Sequence, residues 1–353
     1  MINKVNADGV VHEETENTII TGEFDMAGYI SRLKAKEVVE EEERATDAKS
    51  EDSFSYLNGT YVPDVDPSYV MPPDTAELFE VLNQGRKEMS ENVLLVGPTG
   101  CGKTELAKQF AARVGLPLLK MDCSNITEAS QWFGRLDMKN SSLEYLEAPF
   151  SRIVARGNHV ILLDEINRAS SEVLNCLLPL LDTTRSTFIQ ERKPSPILRD
   201  GGGLIWFATM NEGSQYTGTM RLDRALRGRF SNVVELTYLS KADEIALLVR
   251  RTGIDVENAT KLVDIADTIR LKAKGINSIY THVLSTRELL NAAKKFVRGG
   301  IKTLRFTVLN HFDGGNGVDS ERGHVLKMLE GKMGSINGLA EKPKSASDMI
   351  AGS

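Results

Sequence analysis

The chain has 353 residues, 41% of them hydrophobic and 26% charged, so it is longer than the roughly 250–300 residues at which a single core stops growing. This composition is typical of globular proteins and disfavours a disordered or fibrous chain. Of the net charge of −6, residues 1–70 contribute −10, with 16 acidic and 6 basic side chains, which leaves +4 for the rest. A remainder so weakly basic gives little reason to expect nucleic acid as a partner.

Cysteine content and targeting signals indicate the compartment. Cys101, Cys123 and Cys176 are too few and too scattered for a disulfide framework or a CxxC metal site, and they predict free thiols in a reducing compartment. The sequence has no apolar run of 18 residues, and its beginning lacks the basic-then-apolar order of a signal peptide. We therefore predict a cytoplasmic protein without membrane contact.

Residues 1–60 are predicted to form an acidic, flexible N-terminal arm. The stretch KAKEVVEEEERATDAKSED has few large apolar side chains, which is typical of a solvated helix or a disordered segment. Pro63, Pro67, Pro72 and Pro73 follow this stretch and disfavour helix, so a domain boundary is expected there.

Residues 61–240 predict an α/β domain. Five short apolar runs alternate with helical patterns in this part of the chain: NVLLVG, LPLLKMD, HVILLDE, LIWFATMN and NVVELTYL. Continuous runs of Val, Ile and Leu are typical of strands that are buried on both faces of a parallel sheet. The expected fold is a P-loop domain with a parallel sheet flanked by helices.

Beyond residue 240 the strand signals stop. The segments KADEIALLVRRT, ATKLVDIADTIRLKAK and STRELLNAAKKFVRG show the i, i+3, i+4 apolar spacing of amphipathic helices, which predicts a small all-α domain over residues 241–333. Residues 334–353 are mostly small and polar and are rich in Gly and Ser, so they predict a flexible C-terminal tail.

The segment GPTGCGKT matches the GxxxxGK[ST] pattern of a phosphate-binding loop, and it stands between apolar NVLLV and helical ELAKQFAARV. In such loops, backbone N–H groups at a helix N-terminus bind phosphate oxygens, a lysine contacts the β and γ phosphates, and a hydroxyl binds Mg²⁺. Lys103 is therefore also predicted to be catalytic and Thr104 to be a metal ligand. The predicted ATP-binding residues are Gly97, Pro98, Thr99, Gly100, Cys101, Gly102, Lys103, Thr104 and Glu105.

The segment HVILLDE ends a predicted strand in two adjacent carboxylates, Asp164 and Glu165. By itself such a pair is more often a solvated strand end, but after a P-loop it predicts a Walker B element. Asp164 is then a second Mg²⁺ ligand, and Glu165 is the general base that activates the attacking water. The strand LIWFATMN ends in Asn211, whose amide is expected to hold that water or to sense the γ-phosphate.

Four arginines, Arg221, Arg224, Arg227 and Arg229, fall within nine residues of the segment MRLDRALRGRF. The cluster indicates an anionic partner, although a solvated basic turn or a salt-bridged face is plausible for at least two of these side chains. Arg229 is our candidate for an arginine finger that reaches the γ-phosphate bound by a neighbouring subunit. Such fingers raise rates on the order of 10³ to 10⁵-fold.

With these elements in this order, the chain resembles the AAA+ ATPases over about residues 61–330, and DEINRAS at 164–170 is similar to the signature of the MoxR group. Its flanks YVPDVDPSYV and LRFTVLNHFD resemble those of CobS-like cobaltochelatase ATPase subunits. The resemblance implies that Asn211 is sensor 1, that Arg229 acts in trans, and that Arg287 is a sensor 2 residue contacting ATP from a helical lid. It also implies a homo-oligomeric ring, expected to be a hexamer, and a protein partner, in relatives often one with a von Willebrand factor A domain.

Two segments, residues 125–150 and 183–202, stand where relatives carry insertions that reach a pore or a partner, and the second has a hairpin-like pattern. Trp132 and Phe133 of the first segment are either an exposed anchor or part of the packing against the sheet. No metal-insertion machinery is predicted, because the histidines show no ligand spacing. They are His12, His159, His282, His311 and His324.

We therefore predict a Mg²⁺-dependent ATPase ring that remodels or activates a partner protein. A second interpretation is a nucleic-acid-stimulated motor, because the DEINR region also resembles that of DNA-restriction AAA+ GTPases; the weak basic charge counts against it. A third is a ring that binds nucleotide only for assembly. Glu165 counts against that interpretation, because a purely structural site does not need a base.

Overall fold

The computed structural model of the chain describes residues 59–72, 75–139, 141–211, 222–274, 278–314 and 320–334. These residues all belong to one compact unit. The predicted N-terminal arm up to residue 58, the predicted tail from residue 335, and Arg221 of the arginine cluster lie outside them.

The described part of the chain contains the strands β1 (Glu91–Val96), β2 (Leu118–Asp122), β3 (Gly134–Lys139), β4 (Ser142–Glu147), β5 (Val160–Asp164), β6 (Ser186–Phe188), β7 (Ile197–Arg199), β8 (Ile205–Met210) and β9 (Asn232–Glu235). Five of them form a parallel sheet with the order β2-β5-β8-β1-β9. These are the five apolar runs that the sequence predicts as strands. The central strands β5, β8 and β1 are buried almost throughout, which accounts for their unbroken apolar sequences.

The described helices are α1 (Thr75–Gly85), α2 (Lys103–Val114), α3 (Ser130–Phe133), α4 (Pro149–Arg156), α5 (Ser171–Asn175), α6 (Leu178–Leu181), α7 (Arg224–Arg227), α8 (Lys241–Thr252), α9 (Val256–Ala273), α10 (Thr286–Gly299), α11 (Leu304–Thr307) and α12 (Glu321–Met333). Side chains of a strand alternate between its two faces, so the sheet has a core on each side. Val93 and Leu95 share one core with α1 and α2, whereas Leu94 and Val96 share the other with helices α3 to α6. The predicted parallel sheet flanked by helices is confirmed.

Helices α8 to α12 surround a third core of their own, and the described residues beyond Glu235 contain no strand. Each of the four longest helices in this region begins at a side chain that accepts a backbone N–H of the first turn, which satisfies one of the free donors there. These N-caps are Ser240, Asp255, Ser285 and Ser320. The C-terminal helical region predicted from the apolar spacing is therefore present.

Both predicted insertions contain antiparallel hairpins, one formed by β3 and β4 and the other by β6 and β7. Trp132 is fully buried and Phe133 nearly so, in the core that lies under the first hairpin. The Trp132 ring packs against Phe150 at 5.0 Å, and Phe150 in turn packs against Trp206 of β8 at 5.7 Å. Of the two possibilities for this aromatic pair, the structure shows packing against the sheet.

Two further expectations concern the thiols and the membrane. Cys101, Cys123 and Cys176 are free, as predicted. No helix in the described ranges is long and apolar enough to cross a membrane.

Candidate nucleotide-binding site

The phosphate-binding loop joins β1 to the first turn of α2, and its glycines stand where the backbone conformation or the surrounding atoms disfavour a side chain. Gly100 and Gly102 have φ values of 72° and 103°, in the region that favours glycine. At Gly97 an added Cβ would lie 2.3 Å from the Leu236 carbonyl oxygen. The backbone can therefore curve closely around a ligand at the N-terminus of α2, where free N–H groups favour phosphate.

Lys103 is the first residue of α2, and its side chain turns back into the loop. Its ammonium donates to the carbonyl oxygens of Gly97 and Pro98 and to Asn211 Oδ1, each at 2.8 Å. Burial lowers the pKa of Lys103 below its usual 10.5. The structure therefore places this charge between the loop and the end of β8, beside a cavity of about 640 Å³ that the loop lines.

Asp164 receives three hydrogen bonds at the end of β5. Thr104 Oγ1 and Thr209 Oγ1 donate to Oδ1 at 2.9 and 2.6 Å, and Lys120 Nζ lies 2.8 Å from Oδ2. Burial alone would raise the pKa of Asp164, but the hydrogen bonds from Lys120, Thr209 and Thr104 outweigh it and hold the pKa below 3.8. The carboxylate is therefore ionised at neutral pH and is held in one orientation.

The oxygens of Thr104 and Asp164 fit a magnesium ion. They are within hydrogen-bond distance of each other, so one cation can contact both, and hard oxygen donors are the ligands that Mg²⁺ prefers. Lys120 pairs with the other carboxylate oxygen, Oδ2, and leaves Oδ1 on the side of Thr104.

Glu165 follows Asp164 with φ of 53°, a left-handed conformation that is uncommon for a residue with a side chain. Its backbone N–H donates to Thr209 Oγ1 at 2.9 Å, so the same threonine fixes both carboxylate residues. The Glu165 carboxylate lines the cavity and forms an ion pair with Arg168 Nε at 2.5 Å. The predicted base is therefore present at the site but is paired with a cation.

These side chains meet because three neighbouring strands end at the same edge of the sheet. β5 pairs with β8 through Leu163 and Ala208, and β8 pairs with β1 through Met210 and Val96. The carboxyl ends of adjacent parallel strands are the usual position of ligand sites in open α/β sheets.

Arg287 lines the same cavity from α10, in the C-terminal helical region. The N-terminus of this helix lies directly against the loop: a Cβ added to Gly100 would be 2.5 Å from Ser285 Cβ and 3.5 Å from Arg287 Cβ. The helical region therefore closes one side of the cavity, and it contributes two cations there, Arg251 from α8 and Arg287 from α10.

Arg229 does not line this cavity. Its Nη2 lies 2.9 Å from Asp182 Oδ2, and its carbonyl oxygen accepts a hydrogen bond from Asn92 Nδ2 at 2.6 Å. Asn92 is near the amino end of β1, five residues before Gly97, which is about 17 Å along an extended strand. The structure thus brings the predicted P-loop, Walker B, Asn211 and Arg287 residues together and leaves Arg229 at the opposite edge of the sheet.

Three residues that contact Asp164 or Glu165 were not predicted from the sequence: Lys120, Thr209 and Arg168. Lys120 and Thr209 lie near the ends of β2 and β8, and a polar residue near the end of an otherwise apolar run is a signal that could have identified them. Arg168 belongs to the DEINRAS segment, but its pairing with Glu165 depends on the turn that follows β5.

Comparison with known proteins agrees with this geometry. The family description "AAA domain (dynein-related subfamily)" matches residues 92–230, and "CbbQ/NirQ/NorQ C-terminal" matches residues 244–306. BssE of Thauera aromatica, named a putative chaperone, is 31% identical over 69% of this chain and 82% of its own length. The chain belongs to the AAA+ ATPases of the CbbQ/NirQ/NorQ type.

Two further similarities accompany this assignment. NorQ of Paracoccus denitrificans (strain Pd 1222) is 32% identical over 59% of this chain and 74% of its own length. Among solved structures, a RuvB variant of Thermotoga maritima aligns with 80% of this chain and 89% of its own, at 13% identity and a TM-score of 0.43, a likeness too remote to carry an argument.

Proposed function

We propose that this AAA+ ATPase hydrolyses ATP in the P-loop cavity and uses the energy to remodel or activate a partner protein. The observation that carries the proposal is the convergence of Lys103, Asp164, Glu165 and Asn211 at one edge of the sheet. A loop that cradles phosphate, a cation-binding carboxylate and a candidate base are the parts that phosphoryl transfer to water requires.

Each residue of the cavity has a distinct proposed role. Thr104 and Asp164 would hold Mg²⁺, which when bound neutralises developing charge on the phosphates. Lys103 would contact the β and γ phosphates, and Asn211, hydrogen-bonded to Lys103, would hold the attacking water or sense the γ-phosphate. Arg287 would contact the nucleotide from the helical region, as a lid residue.

Glu165 is the proposed general base. Arg168 Nε contacts the Oε2 atom of its carboxylate, so proton abstraction by that oxygen requires that the pair opens when ATP and the water are in place. The side chain is 39% exposed and Arg168 is 36% exposed, so separating them buries no charge and costs at most about 1 kcal/mol.

The position of Arg229 supports a ring. This side chain lies near the amino end of β1 and the P-loop at its carboxyl end, so Arg229 does not serve the site of its own subunit. In a head-to-tail ring, the edge at the amino ends of the strands in one subunit faces the edge at their carboxyl ends in the next subunit. We propose that Arg229 completes the neighbour's site, in a ring that we expect to be a hexamer.

The proposed partner is a protein. The chaperone name given to BssE supports remodelling as the use of ATP. The resemblance to MoxR and CobS-like ATPases points to a partner with a von Willebrand factor A domain. The cytoplasm is the proposed location. A ring that uses nucleotide only for assembly is the alternative, and it would bind ATP without turning it over.

The test is ATP turnover by the purified chain with Mg²⁺, at concentrations that allow assembly and with candidate partners. Lys103→Ala should abolish turnover, and Glu165→Gln should bind ATP but hydrolyse it at least about 100-fold more slowly, as expected for loss of a general base. Glu172→Gln, an exposed carboxylate on α5, is the matched control and should leave turnover unchanged. Turnover of the parent no greater than that of Lys103→Ala would reject the proposal.

A further inference from the structure

A second cluster of ligand-type side chains lies in the C-terminal helical region. His282 Nε2 is 2.8 Å from Glu288 Oε1, and His311 Nδ1 is 3.5 Å from the same oxygen. The three candidate ligand atoms all lie within 4.8 Å of one another. The spacing of the histidines along the sequence does not reveal this cluster, because the fold brings His311 to residues that lie more than 20 positions earlier.

The cluster is held in place by contacts outside it. The imidazole rings of His282 and His311 stack with centroids 5.6 Å apart and an interplanar angle of 15°. Glu288 Oε2 accepts hydrogen bonds from Ser285 N at 2.8 Å and Ser285 Oγ at 2.7 Å, as part of the capping box that begins α10. With Oε2 fixed in this way, Oε1 is turned toward both imidazoles. Metal sites are typically built with such outer contacts, which orient the ligands.

A simple ion pair does not explain this arrangement. Glu288 and His282 already form a complete hydrogen-bonded pair, and the 3.5 Å separation of His311 is too long for a good hydrogen bond. A second imidazole directed at the same oxygen adds nothing to the pair but supplies a third ligand. His282, Glu288 and His311 are 36%, 20% and 38% exposed, so an ion can enter from solvent.

We propose that His282 Nε2, Glu288 Oε1 and His311 Nδ1 bind a divalent transition-metal ion, with Zn²⁺ as the best chemical fit. Two imidazoles and one carboxylate form a common three-residue ligand set for zinc, which leaves a further position for water. Zinc binds these ligands at about 2.0–2.2 Å in a tetrahedral arrangement, so two ligands of one ion are about 3.3–3.6 Å apart. The separations of the two imidazole nitrogens from Glu288 Oε1, 2.8 and 3.5 Å, lie near that range, and side-chain rotations would bring the three ligand atoms around one ion.

The site would act on the nucleotide cavity through α10. Glu288 directly follows Arg287, and Ser285, which holds Glu288, packs against Gly100 of the phosphate-binding loop. A bound ion would fix the first turn of α10 and therefore the position of Arg287. This consequence rests on the proposed role of Arg287 in ATP binding, whereas the metal site itself does not depend on it.

The first experiment measures metal binding without nucleotide. The full chain is stripped with a chelator and titrated with Zn²⁺ by calorimetry in excess Mg²⁺, which occupies the Walker carboxylate; Co²⁺ replaces Zn²⁺ to give a visible absorption spectrum. We expect one ion per chain. His282→Gln, Glu288→Gln and His311→Gln should each weaken binding at least about tenfold. His324→Gln, in the same helical region but outside the cluster, is the control and should bind as the parent does.

Circular dichroism of each variant shows whether it has folded. Folded variants of the cluster that bind Zn²⁺ as tightly as the parent, or a parent that binds none, would overturn the metal site. The second experiment measures ATP affinity with and without Zn²⁺, where we expect a change of at least about threefold that His311→Gln abolishes. Zinc binding at the cluster with an unchanged ATP affinity would overturn the coupling to Arg287. Neither result depends on whether the chain hydrolyses ATP.

Discussion

Replacing Arg270 with methionine tests the buried ion pair that joins α8 to α9. Glu244 is completely buried and the Arg270 side chain is 8% exposed. The guanidinium donates to both carboxylate oxygens, at 2.8 and 3.0 Å, and to the Leu284 carbonyl oxygen at 2.8 Å. Without Arg270, the Glu244 carboxylate keeps the hydrogen bond from Thr286 Oγ1 at 2.6 Å and, among the residues that the structure describes, becomes a buried charge without a counterion.

Removing one partner of such a pair costs about 3–5 kcal/mol of folding free energy, because the remaining charge is desolvated without compensation. Removing both charges is far less costly, since no uncompensated charge is left. We therefore expect Arg270→Met to lower the free energy of unfolding by about 4 kcal/mol, and the Arg270→Met/Glu244→Leu double variant to recover at least about 2 kcal/mol of that loss.

Equilibrium urea unfolding followed by circular dichroism measures these differences. Arg250→Met is the matched control, because Arg250 is exposed on α8 and its replacement should stay within about 0.5 kcal/mol of the parent. A cost below about 1 kcal/mol for Arg270→Met, or a double variant less stable than the single one, would refute the reasoning. The guanidinium also lies 3.9 Å over the Tyr238 ring, whose hydroxyl donates to the Thr99 carbonyl oxygen, so the same variant should weaken ATP binding.

Three further predictions follow from single sites. Gly100→Ala should weaken ATP binding at least about tenfold in a calorimetric titration, because its Cβ would lie 2.5 Å from Ser285 Cβ. Gly253 has a φ of 73° but open space around it, so Gly253→Ala should only lower the stability, by about 1 kcal/mol in thermal unfolding. Trp132→Ala should cost about 3–5 kcal/mol in urea unfolding, whereas Phe188→Ala, at a side chain 69% exposed, should cost less than about 0.5 kcal/mol; equal effects would contradict the buried role of Trp132. The ammonium groups of two lysines hold the pKa of Asp264 below 3.8. Asp264 therefore stabilises the fold at pH values above 3.8, and this stabilisation is lost as the pH falls through the lowered pKa. Between about pH 5 and 2.5, the melting temperature of Asp264→Asn should therefore change less than that of the parent, by an amount equivalent to less than about 1 kcal/mol.

The strands could be predicted because their local sequence determines them. A strand buried on both faces must be apolar at every position, so β1, β5 and β8 appear as unbroken runs. The order of the strands could not be read in this way, because it depends on which apolar faces pack together. The burial of Trp132 and Phe133 could not be predicted either, because the composition of this aromatic pair fits an exposed anchor as well as a core.

The residues of the nucleotide site also divide into those that local sequence motifs predict and those whose positions depend on the pairing of strands. Lys103, Thr104 and Asp164 belong to motifs whose spacing is fixed by one loop or one strand end. Lys120 reaches Asp164 only because β2 lies beside β5, and nothing in either segment specifies that pairing. The cluster of His282, Glu288 and His311 was missed for a stronger reason: His311 comes from a different segment of the helical region than His282 and Glu288, so no spacing within one segment reveals it.

The most direct test of the account is to mix two inactive variants. Arg229→Ala subunits keep an intact P-loop, and Lys103→Ala subunits keep an intact Arg229, so a mixed ring contains some interfaces with both parts. Random mixing in equal amounts makes about a quarter of the interfaces complete in a head-to-tail ring. We predict that the mixture regains ATP turnover approaching that fraction of the parent rate, while each variant alone stays inactive. Arg224→Ala, which replaces an exposed arginine of the same cluster, is the control and should stay active. Mixed rings that assemble but hydrolyse no more ATP than the two variants separately would contradict a site completed by the neighbouring subunit.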